Sequence, residues 1–123
     1  MADLETQRSF LERQLTNPGL VSFLWALTIF TIIITFILAY FKARSGLSTV
    51  ALHYNVIIGV DLLGSGRDLY LIPLAGSGIT LLNYLIYRFA IPKGDFLGVL
   101  TALVSWVAAL ILSAALVFLF SVN

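Results

Sequence analysis

Three apolar stretches, from about Val21 to Phe41, Leu69 to Phe89 and Phe96 to Phe120, leave this chain few ways to fold. Each holds roughly 20 residues or more, enough for an α-helix to cross a hydrocarbon core of ~30 Å. The chain is 60% hydrophobic and only 11% charged, against about 25% charged residues in soluble domains. A soluble domain of 123 residues has too little interior to hide so much apolar surface. Lipid is therefore the expected solvent for much of it. The expected fold is all-α and integral to the membrane: three transmembrane helices, an N-terminal amphipathic helix and a short extended, β-like insert between helices 1 and 2.

The rest of the composition excludes more than it identifies. The net charge is +1, too small for a nucleic-acid footprint. Cysteine is absent, which removes disulfides, thiol chemistry and Cys-based metal sites. The first apolar run is preceded by Asp3, Glu5 and Glu12, and it passes into Lys42 and Arg44 without a small-residue cleavage site. It reads as a retained span of a single membrane domain, residues 1–123, rather than as a cleaved signal.

Residues 2–16 place Leu4, Leu11 and Leu15 at helical spacing, the pattern of an interfacial helix. Asn17-Pro18-Gly19 breaks that helix, because proline lacks the amide donor and glycine is permissive. The first span, 21–41, carries Trp25 near one end and Tyr40 near the other, consistent with interfacial aromatic belts. Its Thr28, Thr31, Thr35 and Ala39 form a small, weakly polar stripe expected to face the other helices. In the second span, 69–89, Asp68 and Ser65 have capping-box spacing, Pro73 falls near the first turn, and Tyr84, Tyr87 and Arg88 make an interfacial ending.

Ile91-Pro92-Lys93-Gly94-Asp95 reads as a tight turn, so spans two and three are antiparallel neighbours. The third span, 96–120, continues a row of small residues, Gly94, Gly98 and Ala102, beside a second row that includes Ser105 and Ala109. Such rows let helices approach closely, either within the chain or against another subunit. Asn83 is the strongest polar residue inside a span, and its amide needs partners in lipid. Thr31, Thr35 and Ser105 are candidates; a place on an ion or substrate path is the alternative. No charged residue lies deep in a span, which argues against an ion-coupled transporter acting alone.

The insert at 45–67 is no ordinary hydrophilic loop. Val50, Leu52, Tyr54 and Val56 alternate with Ala51, His53 and Asn55, a period of two that suits a strand. His53, Tyr54, Asn55, Asp61 and Arg67 make a dense polar cluster and a candidate interaction or sensor site. One His and two Asp match no established metal motif, and no nucleophile stands in a recognisable catalytic setting. The expected catalytic, metal and cofactor sets are accordingly empty. A histidine ordering its own loop through a link to Asp61 stands beside a pH-sensing role as the two readings.

The stretch Leu-His-Tyr-Asn-Val-Ile-Ile-Gly-Val-Asp, then Gly-Ser-Gly-Arg and Leu-Tyr-Leu-Ile-Pro-Leu, resembles a small bacterial membrane domain of unknown function that also fronts SdpI-like immunity proteins. His53, Tyr54, Asn55, Gly59, Asp61 and Pro73 carry the resemblance, over about a third of the chain. Val50 and Ala51 stand where that domain commonly has proline. The resemblance implies membrane helices flanking a His-aromatic-Asn insert, and in the immunity proteins a protective role; it implies no catalytic mechanism.

Three spans put the termini on opposite sides. Arg8, Arg13, Arg88 and Lys93 oppose Lys42, Arg44 and Arg67, which leans toward a cytoplasmic N-terminus in the cell membrane. The expected function is that of a small non-enzymatic membrane protein. It would bind another membrane protein or peptide, or itself, through its small-residue faces and the His53–Asp61 insert. Immunity or sensing, and a pore or carrier formed by oligomerisation, are the alternatives.

Overall fold

The computed structural model describes residues 1–15, 17–45, 50–57 and 59–122; side chains are described for all of these except 15, 50, 51, 53–55, 59–63 and 122. Among the described residues, four helices and a two-stranded sheet follow one another: α1 (Ala2–Leu15), α2 (Pro18–Ala43), β1 (Val50–Asn55), β2 (Gly59–Gly64), a 3₁₀ turn (Gly66–Tyr70), α3 (Leu71–Phe89) and α4 (Phe96–Val122).

Local chemistry sets the helix boundaries. Asn17 caps α2: its Oδ1 accepts the Gly19 amide at 2.8 Å, and Pro18 occupies the first turn, where its missing N–H has no helical partner to lose. The same tripeptide that ends α1 thus starts α2, and α2 begins at Pro18, ahead of the apolar run at Val21. Ser65 and Asp68 hold the 3₁₀ turn. The Asp68 carboxylate accepts the Ser65 amide at 2.7 Å and its hydroxyl at 3.3 Å. Pro73 falls in the first turn of α3, where it is tolerated for the same reason as Pro18. Between α3 and α4, Gly94 takes φ +80°, a left-handed conformation that glycine adopts without steric cost. Asp95 then caps α4, its Oδ1 accepting the Leu97 amide at 3.0 Å. Gly94 therefore belongs to the turn, outside the helix whose small-residue row it was expected to begin.

Among the described residues, three helices are long and apolar enough to cross a membrane: Pro18–Ala43, Gly66–Phe89 with the 3₁₀ turn included, and Phe96–Ser121. At ~1.5 Å per residue, a helix of 26 residues is about 39 Å long, more than the ~30 Å hydrocarbon core. Their outer faces carry Phe30, Leu82 and Ile111, which are 61%, 64% and 63% exposed. Apolar surface on this scale is unfavourable in water and matches lipid.

Helix α4 packs along both α2 and α3, while α2 and α3 meet over a shorter stretch. The interior has three levels. At the α1 end, Val21, Leu24, Trp25, Val99 and Ala102 form one apolar cluster. At the sheet end, Ala39, Leu69, Leu116 and Leu119 form another. Between them lie buried hydroxyls, Thr28, Thr35 and Ser105. Small side chains at this level let the backbones approach, the arrangement favoured where lipid offers no hydrophobic drive between helices.

The strands pair antiparallel, with Val50 opposite Gly64 and Asn55 opposite Gly59. The register slips twice. Ala51 faces Leu63 and His53 faces Leu62, which leaves Leu52 as an extra residue on β1; Tyr54 faces Val60, which leaves Asp61 as an extra residue on β2. Bulges of this kind re-aim side chains. Leu52 packs against the apolar cluster at the sheet end of the bundle.

Candidate interaction sites

The polar groups between the helices are matched to one another. Asn83 on α3 donates through Nδ2 to Ser105 Oγ on α4 at 2.9 Å. Ser105 donates in turn to the Thr101 carbonyl of its own helix at 2.8 Å. An amide, a hydroxyl and a carbonyl thus form a chain in which each bond polarises the next. Of the three partners expected for Asn83, Ser105 is the one that meets it.

A second pair joins α2 to α4. Thr35 Oγ1 and Ser113 Oγ lie 2.5 Å apart. Each hydroxyl also lies within bonding distance of a carbonyl one turn earlier, Thr31 for Thr35 at 2.7 Å and Ala109 for Ser113 at 2.8 Å. Two protons serve three contacts, so one carbonyl keeps only its helical bond while the hydroxyls bridge. The Thr stripe accordingly turns inward: Thr28, Thr35 and Ala39 are buried.

Several small residues of α4, Gly98, Ala102, Ser105 and Ala109, are buried inside the bundle. Ala102 and Ser105 have no exposed surface, and Ala109 is 3% exposed. Gly98 supports the Tyr87 ring so closely that a Cβ there would stand 3.0 Å from Tyr87 Cε2. At these positions α4 is covered by the chain's own helices. Gly76 plays the same part on α3, against Leu112 of α4.

The hairpin is fastened to the sheet end of the bundle. Leu52 reaches the Leu69–Leu116 cluster. Gly64 lies so near the Leu52 side chain and the Asp68 carboxylate that any side chain at 64 would collide with both. Asp68 also accepts the Ser65 amide, so one carboxylate braces the junction between the end of β2 and the 3₁₀ turn. Arg67 is exposed beside it. The side chains of His53, Tyr54, Asn55 and Asp61 lie outside the described residues, and with them the expected His53–Asp61 link. Their backbone positions place His53 and Tyr54 on β1 facing Leu62 and Val60, and Asp61 at the bulge of β2. Among the described residues, no group of three His, Cys, Asp or Glu side chains is placed to hold a metal ion.

At the opposite end of the bundle an aromatic group forms that the linear order of residues conceals. Trp25 of α2 meets Tyr84 of α3 edge-on, with centroids 5.3 Å apart at 88°, and meets Tyr87 at 5.6 Å. Trp25 Nε1 is the one buried side-chain nitrogen or oxygen without a hydrogen-bond partner among the described residues. The sequence showed an aromatic at one end of span one and two tyrosines three residues apart at one end of span two. Only antiparallel pairing of the two spans brings them together.

No family model matches this chain, and no curated protein or solved structure is significantly similar to it.

Proposed function

We propose that this is a non-enzymatic multi-pass protein of the cell membrane that presents its hairpin, with His53, Tyr54, Asn55, Asp61 and Arg67, to another membrane protein or to a peptide. The observation that carries this reading is the fastening of the hairpin. An isolated two-stranded hairpin is marginally stable in water; here Leu52, Gly64 and Asp68 join it to the helix ends. Such an anchor supports a rigid recognition element on one face of the bundle. The bundle interior, by contrast, matches its hydroxyls and its amide to one another, which favours a scaffold over an ion path. The N-terminus is assigned to the cytoplasm and the hairpin to the outside, and α1 is assigned to the membrane surface.

The test is site-specific photo-crosslinking in cells from Val56, an exposed residue at the hairpin tip, with Ile111 on the outer face of α4 as control. The reading expects one protein adduct of defined mass from Val56 and none of that mass from Ile111. Absence of any protein adduct from Val56 would contradict it.

The immunity reading rests on the residue resemblance around His53 and Asp61. It expects cells to be protected against a secreted peptide, and expects His53→Ala or Asp61→Ala to abolish that protection while membrane levels stay unchanged.

A further inference from the structure

We propose that the groove between α2 and α3 at the α1 end of the bundle holds an anionic phospholipid of the bilayer, one acyl chain lying in the groove and the phosphate resting on Arg88. Helices α2 and α3 touch where Trp25 meets Tyr84 and where Ile32 approaches Gly76. The space between them is a trough of about 420 Å³, walled by Ile29, Ile33, Phe36 and Leu81. That volume is in the range of sites for small ligands, ~300–1,000 Å³. Among the described residues, the polar side chains along it are Ser77, Thr80 and Tyr84, beside the Trp25 ring, and the Ser77 hydroxyl is already committed to the Pro73 carbonyl at 2.9 Å.

Two features select the occupant. The first is length. From Trp25 to Phe36 the trough runs about 16 Å at ~1.5 Å per residue, the depth of one leaflet, half of the ~30 Å hydrocarbon core. The second is charge. The trough shares Trp25, Ile29 and Tyr84 with a wider mouth of about 540 Å³, whose further lining is Ser22, Ala26, Tyr87 and Arg88. Among the described residues, that mouth contains a guanidinium, hydroxyls and no carboxylate. Arg88 is exposed in the last turn of α3, at the level where headgroups lie. Arginine forms paired, charge-assisted bonds to phosphate. An apolar slot one leaflet deep, opening on an arginine, has the shape and polarity of a phospholipid with net negative charge. A zwitterionic lipid would bring its own cation to the same place.

The test uses the full chain with Trp106→Phe, which leaves Trp25 as the sole tryptophan. It is reconstituted into phosphatidylcholine vesicles doped with either brominated phosphatidylglycerol or brominated phosphatidylcholine. Bromine quenches indole fluorescence at contact. The proposal expects half-quenching at a mole fraction about fivefold lower for the anionic lipid, the preference expected of one cation at an anionic headgroup. Arg88→Gln should remove that preference, and Arg13→Gln, on α1, should keep it. Leu81→Phe, which narrows the trough, should weaken quenching by both lipids. Glycerol phosphate added to the aqueous phase should not compete. Equal quenching by the two brominated lipids in the parent protein would overturn the proposal and leave ordinary annular lipid. A preference that survives Arg88→Gln, or displacement by glycerol phosphate, would overturn it as well. The parent comparison decides the matter even if a variant fails to fold.

Discussion

Asn83 and Ser105, on neighbouring helices α3 and α4, share a 2.9 Å hydrogen bond whose acceptor hydroxyl is wholly buried. The bond places an amide between helices where lipid would otherwise face it. Interhelical hydrogen bonds in membranes contribute ~0.6 kcal/mol on average and up to ~1.7 kcal/mol. Asn83→Leu should therefore destabilise the protein by about 0.5–1.5 kcal/mol in reversible unfolding from mixed micelles. Ser105→Ala should cost a similar amount, and the double variant less than the sum. Strict additivity would show that the two side chains do not interact in the folded protein.

The Thr35–Ser113 contact makes a second, independent case. Each hydroxyl can fall back on a carbonyl of its own helix. Thr35→Val and Ser113→Ala should each be mild, with a coupling energy below ~1 kcal/mol in a double-mutant cycle. A coupling of several kcal/mol would mean that the hydroxyl bridge organises the bundle, which the packing argument does not allow.

Glycines at two positions should respond in opposite directions. Gly98 has the Tyr87 ring against it, whereas Gly78 in α3 has no atom from outside its own stretch of helix within 4 Å of where a Cβ would stand. Gly98→Leu should overpack the α3–α4 contact and cost ~1–3 kcal/mol, with partial recovery when Tyr87→Ala is added. Gly78→Ala should be neutral or stabilise by up to ~1 kcal/mol. Equal losses at both sites, measured by the same unfolding assay, would contradict the assigned faces.

The hairpin should detach without the helices. Leu52→Ala withdraws its apolar anchor, and Gly64→Val occupies the space held by Leu52 and Asp68. Either change should accelerate amide hydrogen exchange over 50–64 by tenfold or more, the equivalent of ~1.4 kcal/mol, while exchange in α2 and α4 stays slow. Uniform acceleration along the chain would instead make the hairpin part of one cooperative unit with the helices.

The three apolar helices were legible because their signal is summed over many residues: hydrocarbon leaves a 20-residue apolar run few conformations other than helix. Asn17-Pro18-Gly19 shows the limit. The tripeptide was legible as a break, but the first span starts inside it, because a cap and an N-terminal proline stop one helix and start the next with the same atoms. Gly94, Gly98 and Ala102 looked like one row at four-residue spacing. Spacing alone does not reveal that Asp95 caps the helix and leaves Gly94 in the turn. Leu52 could not be picked out as the anchor, since a period of two carries no information about where pairing slips. The Trp25–Tyr84–Tyr87 group and the groove beside it depend on how α2 and α3 pack together, a tertiary property that no local pattern encodes.

The direct test of the account is which side of the bilayer each connection occupies. The chain has no cysteine, so Ser9→Cys, Val56→Cys and Lys93→Cys each introduce a single thiol at an exposed position. Labelling with a membrane-impermeant maleimide, in intact cells and after lysis, should place Ser9 and Lys93 on one side and Val56 on the other. Labelling of Val56 and Lys93 from the same side would show that α3 does not cross the membrane, and the arrangement of three spans with a hairpin on one face would be wrong.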